Sequence, residues 1–171
     1  MTPEFSRKVD IRNLPSGTLR LEADVGECAA LSERIGIEAI DSLTAEVTME
    51  PAGGAIAVAG KVEASVVQQC AISNEPFRTP ITEPLFLRFV QGITPHKPDE
   101  ELEIDADACD EIEYEGTQFD LGEQIAQTLS LAIDPYATGP NADRVRKEAG
   151  LNDEARSGAF AALAALRSAQ T

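Results

Sequence analysis

The sequence predicts an α+β fold, with a curved antiparallel β-sheet, two short packed helices and a partly disordered C-terminal tail. Three observations carry that expectation. Residues 42–91 alternate apolar with polar or small side chains, the period of antiparallel strands with one wet face. Two helix starts share the pattern Asp-x-Gly-Glu, at Asp24 and at Asp120. Beyond Pro140 the periodicity is lost. A chain of 171 residues with 43% hydrophobic content can bury roughly 70% of its unfolded surface. One well-cored domain over residues 1–140 is therefore expected, followed by a flexible tail, 141–171, with a short apolar helix.

Residues 5–23 alternate loosely around Pro15-Ser16-Gly17, which predicts a β-hairpin. Asp24 and Glu27 then form a capping-box pattern ahead of Leu31 and Ile35, with Gly36 as a stop, so a helix is expected over about 25–35. Leu43, Ala45, Val47 and Met49 alternate up to the turn at Pro51–Gly54, and Ile56, Val58, Val62 and Val66 continue beyond it. A further strand, 81–90, carries Leu85, Leu87 and Phe89 on one face and Phe86, Arg88 and Val90 on the other. Pro84 makes an interior ladder position awkward there, so a bulge or an edge is expected. Glu111-Ile112-Glu113-Tyr114 alternates again and reads as strand. Leu121, Ile125, Leu129 and Ala132 fall on one helical stripe that Pro135 ends.

Thirty acidic against 14 basic side chains give a formal net charge of −16. That balance opposes loose association with phosphate backbones or anionic lipid. Residues 99–123 hold twelve of the acids and no Lys or Arg. Such a block repels RNA and attracts cations or a basic partner, or keeps the protein soluble. Cys28, Cys70 and Cys109 are odd in number and far apart, which fits a reducing cytoplasm better than a secreted disulfide framework. No apolar run has the length of a membrane span or a signal segment, so a cytoplasmic protein without a membrane partner is expected.

Chemistry finds few candidates. A structural zinc site needs four paired ligands, and Cys70-Ala71-Ile72-Ser73 has the spacing with serine in second place. The only histidine, His96, lies between prolines 95 and 98 and reads as a surface residue rather than a base. A thiol hydrolase using Cys70 would need His96 or a carboxylate beside the sulfur. Pro51-Ala52-Gly53-Gly54 precedes a strand pattern and lacks the lysine of a phosphate-binding loop, so a hairpin turn explains it. No catalytic set, metal or cofactor is expected.

The order of motifs is more specific than any one of them. Gln68-Gln69-Cys70-Ala71-Ile72-Ser73-Asn74-Glu75-Pro76-Phe77 ends a strand, a strand over 81–89 and an acidic spacer follow, then Phe119-Asp120-Leu121-Gly122-Glu123 and Leu129-Ser130-Leu131-Ala132-Ile133-Asp134-Pro135-Tyr136. From about residue 5 to 136 the chain resembles the bacterial YceD family, a domain of unknown function also called the large ribosomal RNA subunit accumulation protein. The apolar stretch 160–166 is similar to the short tail of such proteins. The resemblance implies a non-enzymatic ribosome-biogenesis factor that supports accumulation of large-subunit (23S) ribosomal RNA, with a plastid counterpart in plants. Its partner would be the ribosomal RNA precursor or a basic ribosomal or assembly protein, the latter being electrostatically easier. Many members carry Cys-x-x-Cys at the position of Cys70 and a second cysteine pair near residues 135–140, an arrangement that looks like a zinc site. Here Ser73 replaces one cysteine, and residues 136–139 contain none.

The family-motif positions that become partner-binding candidates are Cys70, Glu75, Pro76, Arg78, Arg88, Phe119, Asp120, Leu121, Glu123, Pro135 and Tyr136. Plainer roles stand beside these. Leu121 reads as core and Asp120 and Glu123 as helix caps, while Glu75, Arg78, Arg88 and the exposed side of the 120–133 helix are left to face a partner. Phe160, Leu163 and Leu166 would dock the tail on its own domain or on another protein. A different class of function is an acidic interaction module that mimics nucleic acid.

Overall fold

In a computed structural model, residues 3–92 and 111–150 are described. In chain order they form β1 (Lys8–Asp10), β2 (Leu19–Glu22), α1 (Val25–Ile35), β3 (Ala39–Ala52), β4 (Ala55–Gln69), β5 (Pro76–Gln91), β6 (Glu111–Tyr114), β7 (Gln118–Asp120), α2 (Leu121–Ala132) and α3 (Ala142–Glu148). The α+β class is as expected. Two compact units divide the chain, one of residues 1–67 and 79–133, the other of residues 68–78 and 134–171.

In the first unit a five-stranded sheet has the order β2-β3-β4-β5-β6, and β1 pairs with β7 in a second, two-stranded sheet. The alternation of β3 puts Leu43, Ala45, Val47 and Met49 inside and Thr44, Glu46, Thr48 and Glu50 outside. β3 turns into β4 at Gly53 and Gly54, whose positive φ values of 58° and 87° suit a tight hairpin. Ala52 faces Ala55 across the turn. Further along, Gly60 lies opposite Val47, and a Cβ there would collide with the Glu46 carbonyl. Only glycine permits that approach of the two strands.

α1 begins as its sequence predicts. The Asp24 carboxylate accepts from the Glu27 backbone N–H at 2.8 Å, and the Glu27 carboxylate accepts from the Asp24 N–H at 2.9 Å. Gly36 ends the helix in the left-handed conformation, with its N–H on the Ser32 carbonyl. α2 buries Leu121, Ile125 and Leu129 completely. They join Phe5, Leu31, Leu43, Val62, Leu85 and Phe89 in one core. Phe89 stacks on Phe119 at 4.0 Å between ring centroids, and Tyr114 tilts against Phe119 at 5.9 Å.

Two departures have physical causes. Residues 5–23 are not a hairpin: β1 pairs with β7 and β2 with β3. Val9 and Phe119 are register partners, both buried, so the distant strand supplies an apolar cross-strand match. Between β1 and β2, Asp10 caps a 3-10 turn over Ile11–Asn13 and redirects the chain. β6 pairs parallel to β5, making the sheet mixed, and the long connection between Gln91 and Glu111 permits that crossover. This parallel register reaches only Arg88–Gln91, so Pro80 and Pro84 sit where β5 has no β6 neighbour among the described residues. α3 forms within the stretch expected to be flexible.

Among the described residues, the second unit contains the tip of the β4–β5 hairpin and residues 134–150. Asn74 takes φ 57° and donates its N–H to the Cys70 carbonyl, while the Cys70 N–H reaches the Glu75 carbonyl, both at 2.9 Å. Pro135 comes three residues after the last residue of α2, Ala132, where its fixed φ and missing donor fit a chain that has left the helix. His96, Cys109, and the tail residues Phe160, Leu163 and Leu166 lie outside the described residues.

Candidate partner-binding surfaces

In the first unit the motif residues at the start of α2 form a joint. Asp120 accepts from the Glu123 N–H at 3.3 Å, from the Arg7 N–H at 2.8 Å and from the Ser6 hydroxyl. One carboxylate thus caps the helix and anchors the N-terminal segment. Glu123 does not close a capping box. Its carboxylate takes the two-pronged Arg34 guanidinium at 2.7 and 3.0 Å and so joins α2 to the end of α1. Arg34 holds the Glu123 carboxyl below its usual pKa, against burial that works the other way. Gly122 packs against backbone: a Cβ would collide with the Phe5 carbonyl and lie 2.8 Å from the Arg7 nitrogen. Phe119, Asp120, Leu121 and Glu123 are therefore brought together as structure.

Arg88, expected to face a partner, has its guanidinium 2.9 Å from Glu111. Along the exposed side of α2, Leu131 is 87% exposed and borders a groove of about 240 Å³ with Leu31, Ile35 and Ala126. A larger hollow, about 660 Å³, opens on the outer face of the sheet among Ala57, Ala59, Phe86, Arg88 and Glu111. Phe86 stands 77% exposed there. The site residues proposed from sequence omit Phe86 and the two alanines. Their signal is an aromatic side chain on the wet face of a strand and small residues at alternate positions of another.

In the second unit Cys70 is 2% exposed. Its sulfur accepts from the backbone N–H groups of Ile72 at 3.4 Å and Ser73 at 3.3 Å. The Ser73 hydroxyl, foremost, and those amides with the Gly139 amide lower the thiol to about 7. This nest of donors suits a thiolate, as a metal-bound sulfur would need. The remaining donors do not fit zinc: Ser73 offers a hydroxyl, and Tyr136 to Gly139 offer neither thiol nor imidazole. Among the described residues no group of three or more His, Cys, Asp or Glu side chains is placed to hold a metal. Glu75 accepts from the Asn141 amide at 2.8 Å and lies 3.8 Å from Arg144. Pro76 opens β5, Arg78 lies two residues on, and Tyr136 is 81% exposed just after Pro135.

Among the described residues no helix is long and apolar enough to cross a membrane. No curated protein and no solved structure matches the chain. The family described as the large ribosomal RNA subunit accumulation protein YceD matches residues 58–167. That match begins in β4, takes in the Cys70 turn, the Asp120 joint and α3, and covers well over half of the sequence. The chain belongs to the YceD family, whose description ties it to accumulation of large-subunit ribosomal RNA.

Proposed function

We propose that the protein acts in the cytoplasm as a ribosome-biogenesis factor without catalytic activity, supporting large-subunit ribosomal RNA by binding a basic ribosomal or assembly protein. One observation favours a protein over the RNA precursor as the direct contact. Arg7, Arg12, Arg20, Arg34, Lys61 and Arg88 each have a carboxylate oxygen within 4.0 Å. Cations held this way add little net positive potential for a phosphate backbone, which a chain of charge −16 already repels. A basic protein meets the opposite field and is steered inward.

The test is the ratio of mature large-subunit to small-subunit ribosomal RNA in cells depleted of the protein, at matched growth rate. A selective fall in the large-subunit species is expected, and an unchanged ratio overturns the reading. Binding then separates the two partners. Proteins extracted from purified large subunits should be retained by the full chain at low salt, whereas naked precursor RNA should not shift in a gel. Retention of the RNA alone would reverse the assignment.

A further inference from the structure

We propose that the hollow on the outer face of β4, β5 and β6 is the docking site for a basic segment of another protein, which seats an apolar side chain against Phe86. This rests on the reading above that the partner is a basic protein, and it adds the surface.

The hollow follows from the strand pattern. Ala57 and Ala59 point outward from β4, where their small side chains leave a floor without cover. Phe86 rises beside them from β5 and stays 77% exposed. An exposed aromatic over an apolar floor of about 660 Å³ has the form of an anchor site, in which a few contacts carry most of the binding. Charge at the rim selects the occupant. Glu50 is the cross-strand partner of Ala57 and is exposed, Glu111 lines the hollow, and Glu113 follows it on the same face of β6. The lining cation, Arg88, is held on Glu111. Three carboxylates against one paired guanidinium repel phosphate, so RNA is a poor occupant even though Phe86 offers a ring. Lysine or arginine flanking an apolar residue meets both the floor and the rim.

The probe is a fluorescent peptide of about a dozen residues alternating lysine with leucine, titrated into the full chain and read by anisotropy. Phe86→Asp should weaken binding tenfold or more although it adds negative charge. Glu50→Lys with Glu113→Lys should weaken it similarly and serves as the second variant if Phe86→Asp disturbs the fold, as judged by its thermal midpoint. Leu131→Asp, on the α2 groove, should leave binding unchanged. Equal or tighter binding by Phe86→Asp would show attraction to net charge alone and overturn the proposal. So would loss on Leu131→Asp, a ribosomal RNA fragment held through Phe86, or a dimer of this chain that Phe86→Asp dissociates. Cells separate this inference from the functional reading. If depletion lowers the large-subunit ratio and Phe86→Asp restores it as well as the wild type does, the surface falls and the function stands. If depletion leaves the ratio unchanged, the functional reading falls.

Discussion

Two helices of the first unit open on nearly the same four residues, Asp24-Val25-Gly26-Glu27 and Asp120-Leu121-Gly122-Glu123, and the structure uses them differently. At α1 the motif closes on itself through the reciprocal Asp24 and Glu27 bonds, and Glu27 also takes the Arg7 guanidinium at 2.6 and 2.7 Å. At α2 Asp120 caps the Glu123 N–H but also reaches out to Ser6 and Arg7, and Glu123 turns to Arg34 rather than closing the box. Local sequence thus marks where a helix begins, while what lies alongside decides whether the motif is a cap or a joint.

The glycines should break the symmetry most. A Cβ at Gly122 meets fixed backbone, so Gly122→Ala is expected to destabilise by about 3 kcal/mol. At Gly26 the nearest atom to a Cβ is the Asp24 carboxylate oxygen at 3.3 Å, and Gly26→Ala should stay within about 0.5 kcal/mol of wild type. Urea midpoints compare the two directly. Equal effects would mean that Gly122 is not the tight contact between α2 and the N-terminal segment.

The aspartates come next. Asp24→Ala removes a helix cap and should cost about 1 kcal/mol, whereas Asp120→Ala also strands the Arg7 N–H and the Ser6 hydroxyl and should cost about 2 kcal/mol. Thermal midpoints measured together give the order, and a larger loss for Asp24→Ala would refute it.

Acid should reveal the two glutamates. Arg7 holds Glu27, and Arg34 holds Glu123, below the ordinary carboxyl value of 4.5. A lowered folded-state pKa contributes stability that is present above 4.5 and lost as pH falls through the lowered values. Denaturation midpoints between pH 5 and 3 should therefore fall less steeply in Glu27→Gln and Glu123→Gln than in wild type. Unchanged slopes would place the charge pairs in solvent.

The smallest effect is spectroscopic in scale. Cys28 lies one residue beyond the α1 motif, and burial raises its thiol pKa, with added contributions from Asp24 and Glu27. Asp24→Asn should move its alkylation profile slightly toward lower pH. Cys70, under its amide donors, should alkylate with a midpoint near 7 in the same assay. A Cys70 profile above that of Cys28 would discard the donor nest.

Much of the fold was legible because its signals are local. Both helix starts, the Gly53–Gly54 turn, the four-residue strand at Glu111 and the inward faces of β3 and β4 were readable from patterns a few residues long. Residues 5–23 misled because their alternation is real while their partners are distant: Val9 finds Phe119, across most of the chain. The candidate residues were legible by type more than by role. Asp120 and Leu121 kept the cap and core roles expected of them. Glu123 and Arg88, read as a cap and a free cation, proved to be held by Arg34 and Glu111. Phe86 showed on the wet face of its strand, but the hollow needs the two alanines of β4 beside it.

By itself the sequence determined the two capped helices, the inward faces of β3 and β4, the −16 charge that sets the field for any partner, and the order of motifs that marks the family. These depend on composition and short-range spacing, which folding does not alter. The tertiary structure alone decided that β1 pairs with β7, that β5 and β6 run parallel, and that four amide and hydroxyl donors surround Cys70. Each joins residues far apart in the chain, in the last case Gly139 with Cys70. Such contacts form where two buried surfaces match in shape and charge, and that match exists only once the sheet and helices have met.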